Sequence, residues 1–359
     1  MLANSGHKPF DTRIFHKEAK SLSQAGHDVK LIIPTSKDDF ADGIQILSVP
    51  FHQKGWRKLV LCPWFVFRKA LGQPRDSVFH LHDSELLLIG VWLKLLRRKV
   101  VYDAHEDTPL QISYQHWIPT IFKKPYAWFY FSLEKIAGWI FDGIIVAEPV
   151  IARYFPPSKT FLIRNFPLIK DFDSQFIPYH QRKKVLIYVG LLSKVRGALV
   201  MAKAASIAKR KCNFELLLGG SFSPASPERE VSQYPIIFLG WLSFEAMVTK
   251  MMEAQAGIII PQPIERYKTN YPVKLFEYMA AGLPVVASKF GEVAAFVQEG
   301  ECGILVDPEN ENEVATAIEF IFNHEKEANE MGERGRVLVQ NNYSWEKEAQ
   351  TLVDFYNKF

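Results

Sequence analysis

The stretch Asn270-Tyr-Pro-Val-Lys-Leu-Phe-Glu-Tyr-Met-Ala-Ala-Gly-Leu-Pro-Val-Val-Ala-Ser288 places Pro272 where a first helical turn tolerates it, Gly282 where a helix ends, and Pro284 at the head of an apolar run. It reads as helix Val273 to Ala281 followed by buried strand Pro284 to Ala287. Lys274 and Glu277 lie three apart, on one face of the first turns. At a strand-to-helix junction on the carboxyl side of a parallel sheet, the helix N-terminus offers N–H groups to a pyrophosphate. Lys274 adds a positive charge there, and a carboxylate such as Glu277 accepts two hydrogen bonds from ribose hydroxyls.

Outward from this stretch, apolar β-branched runs alternate with helix-length amphipathic segments, the pattern of parallel sheets flanked by helices. The second half reads as strands Val185 to Val189, Phe214 to Leu218, Ile236 to Leu239, Gly257 to Ile260 and Gly303 to Val306. Helices Ala198 to Lys209, Phe244 to Ala254, Val293 to Gln298, Glu311 to Phe322, Lys326 to Asn341 and Ser344 to Phe359 fall between and after them. The first half offers strands Val29 to Ile33, Ile44 to Val49, Val78 to His82, Val100 to Asp103, Gly143 to Val146 and Thr160 to Ile163. Its helices lie near Arg13 to Ala25, Leu59 to Leu71, Glu85 to Leu96, Pro125 to Ile140 and Pro149 to Tyr154. The polar stretch Asp171 to Lys184 reads as a linker. Two α/β domains follow, 1–170 and 185–343, with a final helix over 344–359 and no residue-level repeat between the halves. Only Met1 to Asn4 precede the loop at Ser5 where such a domain normally opens with a strand, so the first strand is expected to be shortened or to begin upstream.

The chain has 359 residues, 48% hydrophobic and 23% charged, enough for two domains with their own cores. A balance of 43 Lys and Arg against 39 Asp and Glu leaves a formal charge of +4, too small to call for a nucleic-acid partner. Cys62, Cys212 and Cys302 are scattered and odd in number, which supports neither a disulfide framework nor a zinc site of paired cysteines. No apolar run reaches the roughly eighteen residues of a membrane span, and Met1 to Pro9 lacks the pattern of a secretory signal, so a cytoplasmic protein is expected.

Further residues bring chemistry to the sheet edges. In Tyr188-Val-Gly-Leu-Leu-Ser-Lys-Val-Arg-Gly197, Gly190 permits close backbone approach, and Arg196 puts a cation near the head of the next helix. Gly219-Gly220 and Gly240-Trp241 follow the next two strands; Trp241 is either a base-contacting residue or core filler. In the first half, Asp11 and Arg13 belong to the loop His7 to Arg13, where Asp11 is a helix cap, a cleft residue, or both. Val78-Phe-His-Leu-His-Asp83 and Val101-Tyr-Asp-Ala-His-Glu-Asp107 deliver His82, Asp83, His105 and Glu106 to the carboxyl edge. His80, His82, His105 and the adjoining acids are also a set that a metal accepts in principle. Trp56 to Lys69 and Trp117 to Phe141 mix basic and aromatic residues, as core or as a bilayer-facing surface.

The segment around Lys274 and Glu277 resembles the donor-site signature of family 4 glycosyltransferases, retaining enzymes of the GT-B fold. The resemblance extends to the His7 loop, the His82 and His105 clusters, the glycine turn at Gly190, and Tyr343-Ser344-Trp345. It implies two Rossmann-like domains facing each other across a cleft, with the last helix crossing back to the first domain. In the family, two glutamates with seven residues between them occupy the donor region; Glu277 matches the second, which holds the ribose, while Thr269 stands where the first grips the sugar. Glu265 offers a substitute carboxylate. The family also has Arg directly after the glycine and Lys later in the motif, where this chain has Leu191 and Arg196. The resemblance thus implies catalytic His105, Arg196 and Lys274, with donor-binding Gly190, Arg196, Gly219, Trp241, Lys274, Leu275 and Glu277. Asp11, Arg13, His82, Asp83 and Glu106 fall to the acceptor or cleft. It further implies a nucleotide-diphosphate sugar as co-substrate, no metal or other cofactor, and a glycan or lipid-linked acceptor for a cell-surface polysaccharide or glycolipid. Peripheral contact with the inner face of the plasma membrane follows if the aromatics are exposed. Thr269 and Leu191 also keep open a catalytically decayed scaffold, and the fold admits a nucleotide-sugar epimerase.

Overall fold

The computed structural model describes residues 1–4, 7–50, 56–105, 107–114, 118–223 and 227–359, with backbone alone for 56–59. The chain divides into two compact units, 1–165 with 348–359, and 166–347. The division falls after Asn165, so the stretch expected as a linker lies inside the second unit. Helix Ile169–Asp173 there buries Phe172 among Val185, Met251 and Ala281, which gives the stretch a packing role that its polar composition conceals.

In the first unit, β1 (Lys30–Pro34), β3 (Ile44–Val49) and β2 (Asp39–Ala41) pair in that order, and β4 (Val78–Leu81), β5 (Lys99–Ala104), β6 (Gly143–Val146) and β7 (Thr160–Leu162) form a parallel set. Leu2 bridges the two, pairing in parallel with Ile32 of β1 and Leu81 of β4. Its N–H donates to His80 O at 2.7 Å, and its carbonyl accepts from His82 N–H at 3.1 Å. Leu2 thus occupies the position between β1 and β4. The first helix differs from a plain amphipathic helix over Arg13 to Ala25. Thr12–Ala19 is wound as a π-helix and continues as an α-helical turn, Lys20–Gln24. Winding in steps of five places Arg13 and Glu18 on one buried face, which an α-helix does not do.

The second unit carries β8 (Lys183–Val189), β9 (Glu215–Gly219), β10 (Ile237–Gly240), β11 (Ala254–Ile259), β12 (Val285–Ser288) and β13 (Gly303–Val306). The order is β10-β9-β8-β11-β12-β13, parallel throughout. Every residue of β11 and β12 is buried, as a parallel sheet covered on both faces requires. One apolar cluster, around Leu186 and Met201, covers one face; another, around Ile187, Tyr278 and Met279, covers the other. Strand order reverses between β8 and β11, and ligands of such sheets bind at the carboxyl ends beside that switch point.

Helix Trp345–Tyr356 begins in the second unit, where Trp345 is fully buried, and its later turns belong to the first. Glu348 accepts from Arg164 N–H at 2.8 Å, and Tyr356 Oη lies 2.7 Å from His80 Nδ1. Among the described residues, no helix is long and apolar enough to cross a membrane.

Candidate active-site residues

At the carboxyl edge of the second unit, three turns are tied side by side. Gly190 N–H donates to Gly219 O at 2.9 Å, and Gly220 N–H donates to Gly240 O at 2.7 Å. A Cβ on Gly220, at φ 131°, would sit 1.9 Å from Gly190 O, so no other residue fits that contact. Arg196, in the short turn Lys194–Arg196, is half-buried beside the hydroxyls of Tyr188 and Tyr267. Trp241 is 68% exposed, which rules out the core-filler role.

Helix Val273–Ala280 is joined to the end of β8 by Tyr278, whose hydroxyl accepts from Val189 N–H at 3.2 Å. On its first turn, Lys274 Nζ donates to Glu277 Oε2 at 2.7 Å and lies 3.1 Å from Met247 Sδ. Glu277 is buried, and its pairing with Lys274 compensates the charge there. Leu275 does not fit the donor-contact role expected of it. Its side chain is fully buried in the core, and its N–H donates to Pro272 O at 2.8 Å. Glu265, the substitute carboxylate, is exposed on the turn Glu265–Tyr267.

The corresponding edge of the first unit is built from ionisable side chains. His80 and His82 alternate along β4 onto one face, and Asp103 projects from neighbouring β5, paired with β4 through His80–Val101 and Leu81–Tyr102. Arg13 reaches Asp103 Oδ1 and Oδ2 at 3.0 Å each and Glu18 Oε1 at 2.8 Å. Arg13, Glu18, His80, His82 and Asp103 are all buried; Arg13 and His82 are therefore interior residues and not surface groups of a cleft. Burial, and then the Asp103 charge, push Glu18 well above the usual carboxylate range. Burial opposes ionisation of Asp103 too, but Arg13 and then His105 beside it hold it well below that range. Burial pushes His80 down to about 4, and His82 down as well, so both imidazoles are neutral near pH 7.

His105 is partly exposed at the rim of this cluster, its Nε2 2.9 Å from Asp103 Oδ2. Close by, Asp11 accepts from Arg13 N–H at 2.9 Å and Ile14 N–H at 3.0 Å, the capping role. Asp11 also lies 3.3 Å from His7 Nδ1, whose Nε2 is 3.1 Å from Asp83 Oδ1. Against the opposing effect of burial, hydrogen bonds to Asp11 and Asp83 raise His7 to about 10, so it is a cation at neutral pH. Asp107 caps helix Thr108–Tyr114 and accepts from Tyr154 Oη at 2.8 Å. Glu106 lies outside the described residues. Glu18 was not singled out in the sequence, since its distance of five from Arg13 matches no α-helical face.

Helix Thr120–Ile140 buries Tyr130, Leu133, Glu134, Ala137 and Gly138 on one face. The other face exposes Ile121, Phe122, Trp128 (71%), Ile136 and Trp139 (76%), and helix Leu87–Leu95 beside it exposes Leu88 and Trp92. These aromatics are surface residues; the beginning of the segment, at Trp117, lies outside the described residues.

Two Rossmann-like α/β units, one with a glycine-turned edge beside a Lys–Glu pair, define a GT-B enzyme. Residues 12–158 match the model described as Glycosyltransferase Family 4, and residues 183–324 match that described as Glycosyl transferases group 1. The chain is therefore a glycosyltransferase, similar to family 4 in both units. An uncharacterized glycosyltransferase of Methanocaldococcus jannaschii is 22% identical over 303 residues, 80% of this chain and 76% of the relative. Other curated relatives are matched over about half their length, 49% and 52%. Among solved structures, sucrose-phosphate synthase of Thermosynechococcus elongatus superposes with a TM-score of 0.74 at 19% identity, over 99% of this chain and 98% of the other. Anabaena HepE in complex with UDP-glucose gives 0.69 at 15% identity, over 100% and 99%.

Proposed function

We propose that this glycosyltransferase takes its sugar from a nucleoside-diphosphate sugar and passes it, with retention of configuration, to a glycan or lipid-linked acceptor. The observation that carries the proposal is the pair of half-buried Lys274 and buried Glu277, on a helix tied to the end of β8 beside the Gly190 turn. A diphosphate at this edge meets Lys274, Arg196 and a helix N-terminus, and the Gly190 and Gly219 turns let it approach the backbone. Glu277 accepts from the ribose hydroxyls, and the exposed ring of Trp241 stacks on the base. The HepE complex with UDP-glucose supports a donor of this class. In the first unit, His105 positions the sugar, and Asp11 and Asp83, held by His7, face the acceptor. The charge of the departing diphosphate is met by these cations, so no metal is assigned to the transfer step.

The aromatic face of helix Thr120–Ile140, with Lys123 and Lys124 on its first turn, suits an anionic bilayer surface and a lipid-linked acceptor at the inner leaflet. The test is turnover with a panel of UDP- and GDP-sugars, using membrane lipid extract as acceptor. One donor should yield a glycolipid whose anomeric centre matches the donor by NMR, and Glu277→Ala should abolish it. An inverted product contradicts retention, and absence of turnover with every donor contradicts the proposal as a whole.

A further inference from the structure

The buried cluster of the first unit has a geometry that hydrogen bonding among its own members leaves unfinished. Glu18 Oε2 and His80 Nε2 are fully buried and have no hydrogen-bond partner. They face each other at 3.8 Å, and each also faces one of two further donor atoms: His80 Nε2 lies 3.8 Å from Asp103 Oδ2, and Glu18 Oε2 lies 3.8 Å from His82 Nδ1. His82 Nδ1 and Asp103 Oδ2 complete the ring at 3.6 Å. One ligand atom from each of the four residues lies within 4.8 Å of all the others.

Four of the six edges of a tetrahedron are thus present at 3.6–3.8 Å, and the two across the ring lie within 4.8 Å. A tetrahedron with metal–ligand distances of about 2.0–2.2 Å has edges of roughly 3.3–3.6 Å, so four edges need to close by a few tenths of an ångström and the two across the ring by up to about 1.5 Å. The surroundings match in part. Ligating histidines are usually fixed through their second ring nitrogen; Tyr356 Oη holds His80 Nδ1 at 2.7 Å, whereas His82 Nε2 is buried without a partner and His82 Nδ1 lies 3.4 Å from His105 Nε2. Ligating carboxylates are held in turn by donors: Arg13 donates to both oxygens of Asp103 at 3.0 Å and forms an ion pair with Glu18 Oε1 at 2.8 Å, and His105 approaches Asp103 Oδ2 at 2.9 Å. With an ion bound, two ionised carboxylates would share one guanidinium, and the charge of a divalent cation would offset them.

We propose that Glu18, His80, His82 and Asp103 bind one divalent transition ion of the zinc type, as a structural site of the first unit separate from sugar transfer. Two imidazoles and two carboxylates in a four-fold set suit zinc, whereas magnesium and calcium prefer six or more oxygens. The site joins the π-helix, β4 and β5, and through Tyr356 it engages the last helix. An ion here therefore fixes the frame from which His105 projects.

The test uses the full chain without a histidine tag, stripped with a chelator and incubated with Zn2+ or Co2+. Metal analysis after gel filtration should give one equivalent per chain, Co2+ should produce the intense visible band of a tetrahedral complex, and Zn2+ should raise the melting temperature. Glu18→Gln and His80→Gln should each weaken binding by more than the roughly 10–100-fold that losing an outer hydrogen-bond partner costs, while His105→Gln should keep the stoichiometry. The wild-type titration stands even if a variant fails to fold. Less than a tenth of an equivalent retained, with an unchanged melting temperature, overturns the site. So does an ion that survives Glu18→Gln and His80→Gln, or one that is lost with His105→Gln alone.

Discussion

The two units use the same part of a Rossmann sheet in opposite ways. At the switch point of the second unit, glycines at 190, 219, 220 and 240 remove side chains, so adjacent turns close on one another and the edge is left to backbone and a few peripheral groups. At the switch point of the first, between Leu2 and β4, the space is packed with Arg13, Glu18, His80, His82 and Asp103. An edge cleared of side chains can take a large ligand against the backbone; an edge filled with mutually paired charges serves first to hold its own unit together. The second unit should therefore govern donor affinity, and the first should govern stability.

The largest effect that separates them is expected at Arg13. Arg13→Leu leaves Glu18 and Asp103 facing each other without their guanidinium, and should destabilise the protein by about 3–5 kcal/mol in urea unfolding. A change below about 1 kcal/mol would show that the network contributes little. Next is Glu134 in the first unit, where burial outweighs the hydrogen bonds from Thr108 (2.9 Å) and Tyr102 (3.2 Å) and raises its carboxyl to about 7. The native state then holds this proton more tightly than the unfolded chain, whose glutamate titrates near 4.5. The associated stability is fully present below pH 4.5 and is lost as pH rises to 7, by roughly 3 kcal/mol in all. Glu134→Gln should flatten that window in a pH series of denaturation midpoints; an unchanged slope would assign it to other groups.

Smaller effects belong to the exposed rings. Trp241→Ala should weaken nucleotide binding by about 1–3 kcal/mol, the worth of stacking on a base, while leaving the melting temperature unchanged. Unaltered affinity would remove Trp241 from the donor edge. Trp128→Ser and Trp139→Ser should each reduce co-sedimentation with anionic vesicles by roughly 1 kcal/mol or more, without changing donor affinity. Equal binding to neutral and anionic vesicles would contradict the part given to Lys123 and Lys124.

The sequence-level signals differ just as the units do. Strands of the second unit were legible because apolar β-branched runs end in glycine and lead into periodic helices, and Lys274, Glu277 and Gly190 stand out on that background. In the first unit, the β2–β3 hairpin passed unread although Asp42 and Gly43, at φ 51° and 79°, form the two-residue turn that an Asp-Gly pair specifies. Helix Thr108–Tyr114 was likewise signalled by its cap Asp107 and by Pro109 in the first turn. The ionisable network was legible only in part. Alternation on a strand puts His80 and His82 together, but the π-helical winding that turns Glu18 toward them leaves no mark in an α-helical period. Leu275 misled for the complementary reason: it sits inside a functional string yet on the buried face of its helix.

The most direct test of the division between the units is calorimetric titration of UDP and GDP into wild type, Glu277→Ala and Arg13→Leu. Glu277→Ala should weaken the preferred nucleotide by at least about 100-fold, through a lost two-bond ribose contact and an unpaired Lys274, with a smaller loss of melting temperature than Arg13→Leu because Lys274 is partly exposed. Arg13→Leu should lower the melting temperature and leave nucleotide affinity within about threefold wherever it is folded. Nucleotide affinity that survives Glu277→Ala but falls with Arg13→Leu would contradict the assignment of the donor to the second unit.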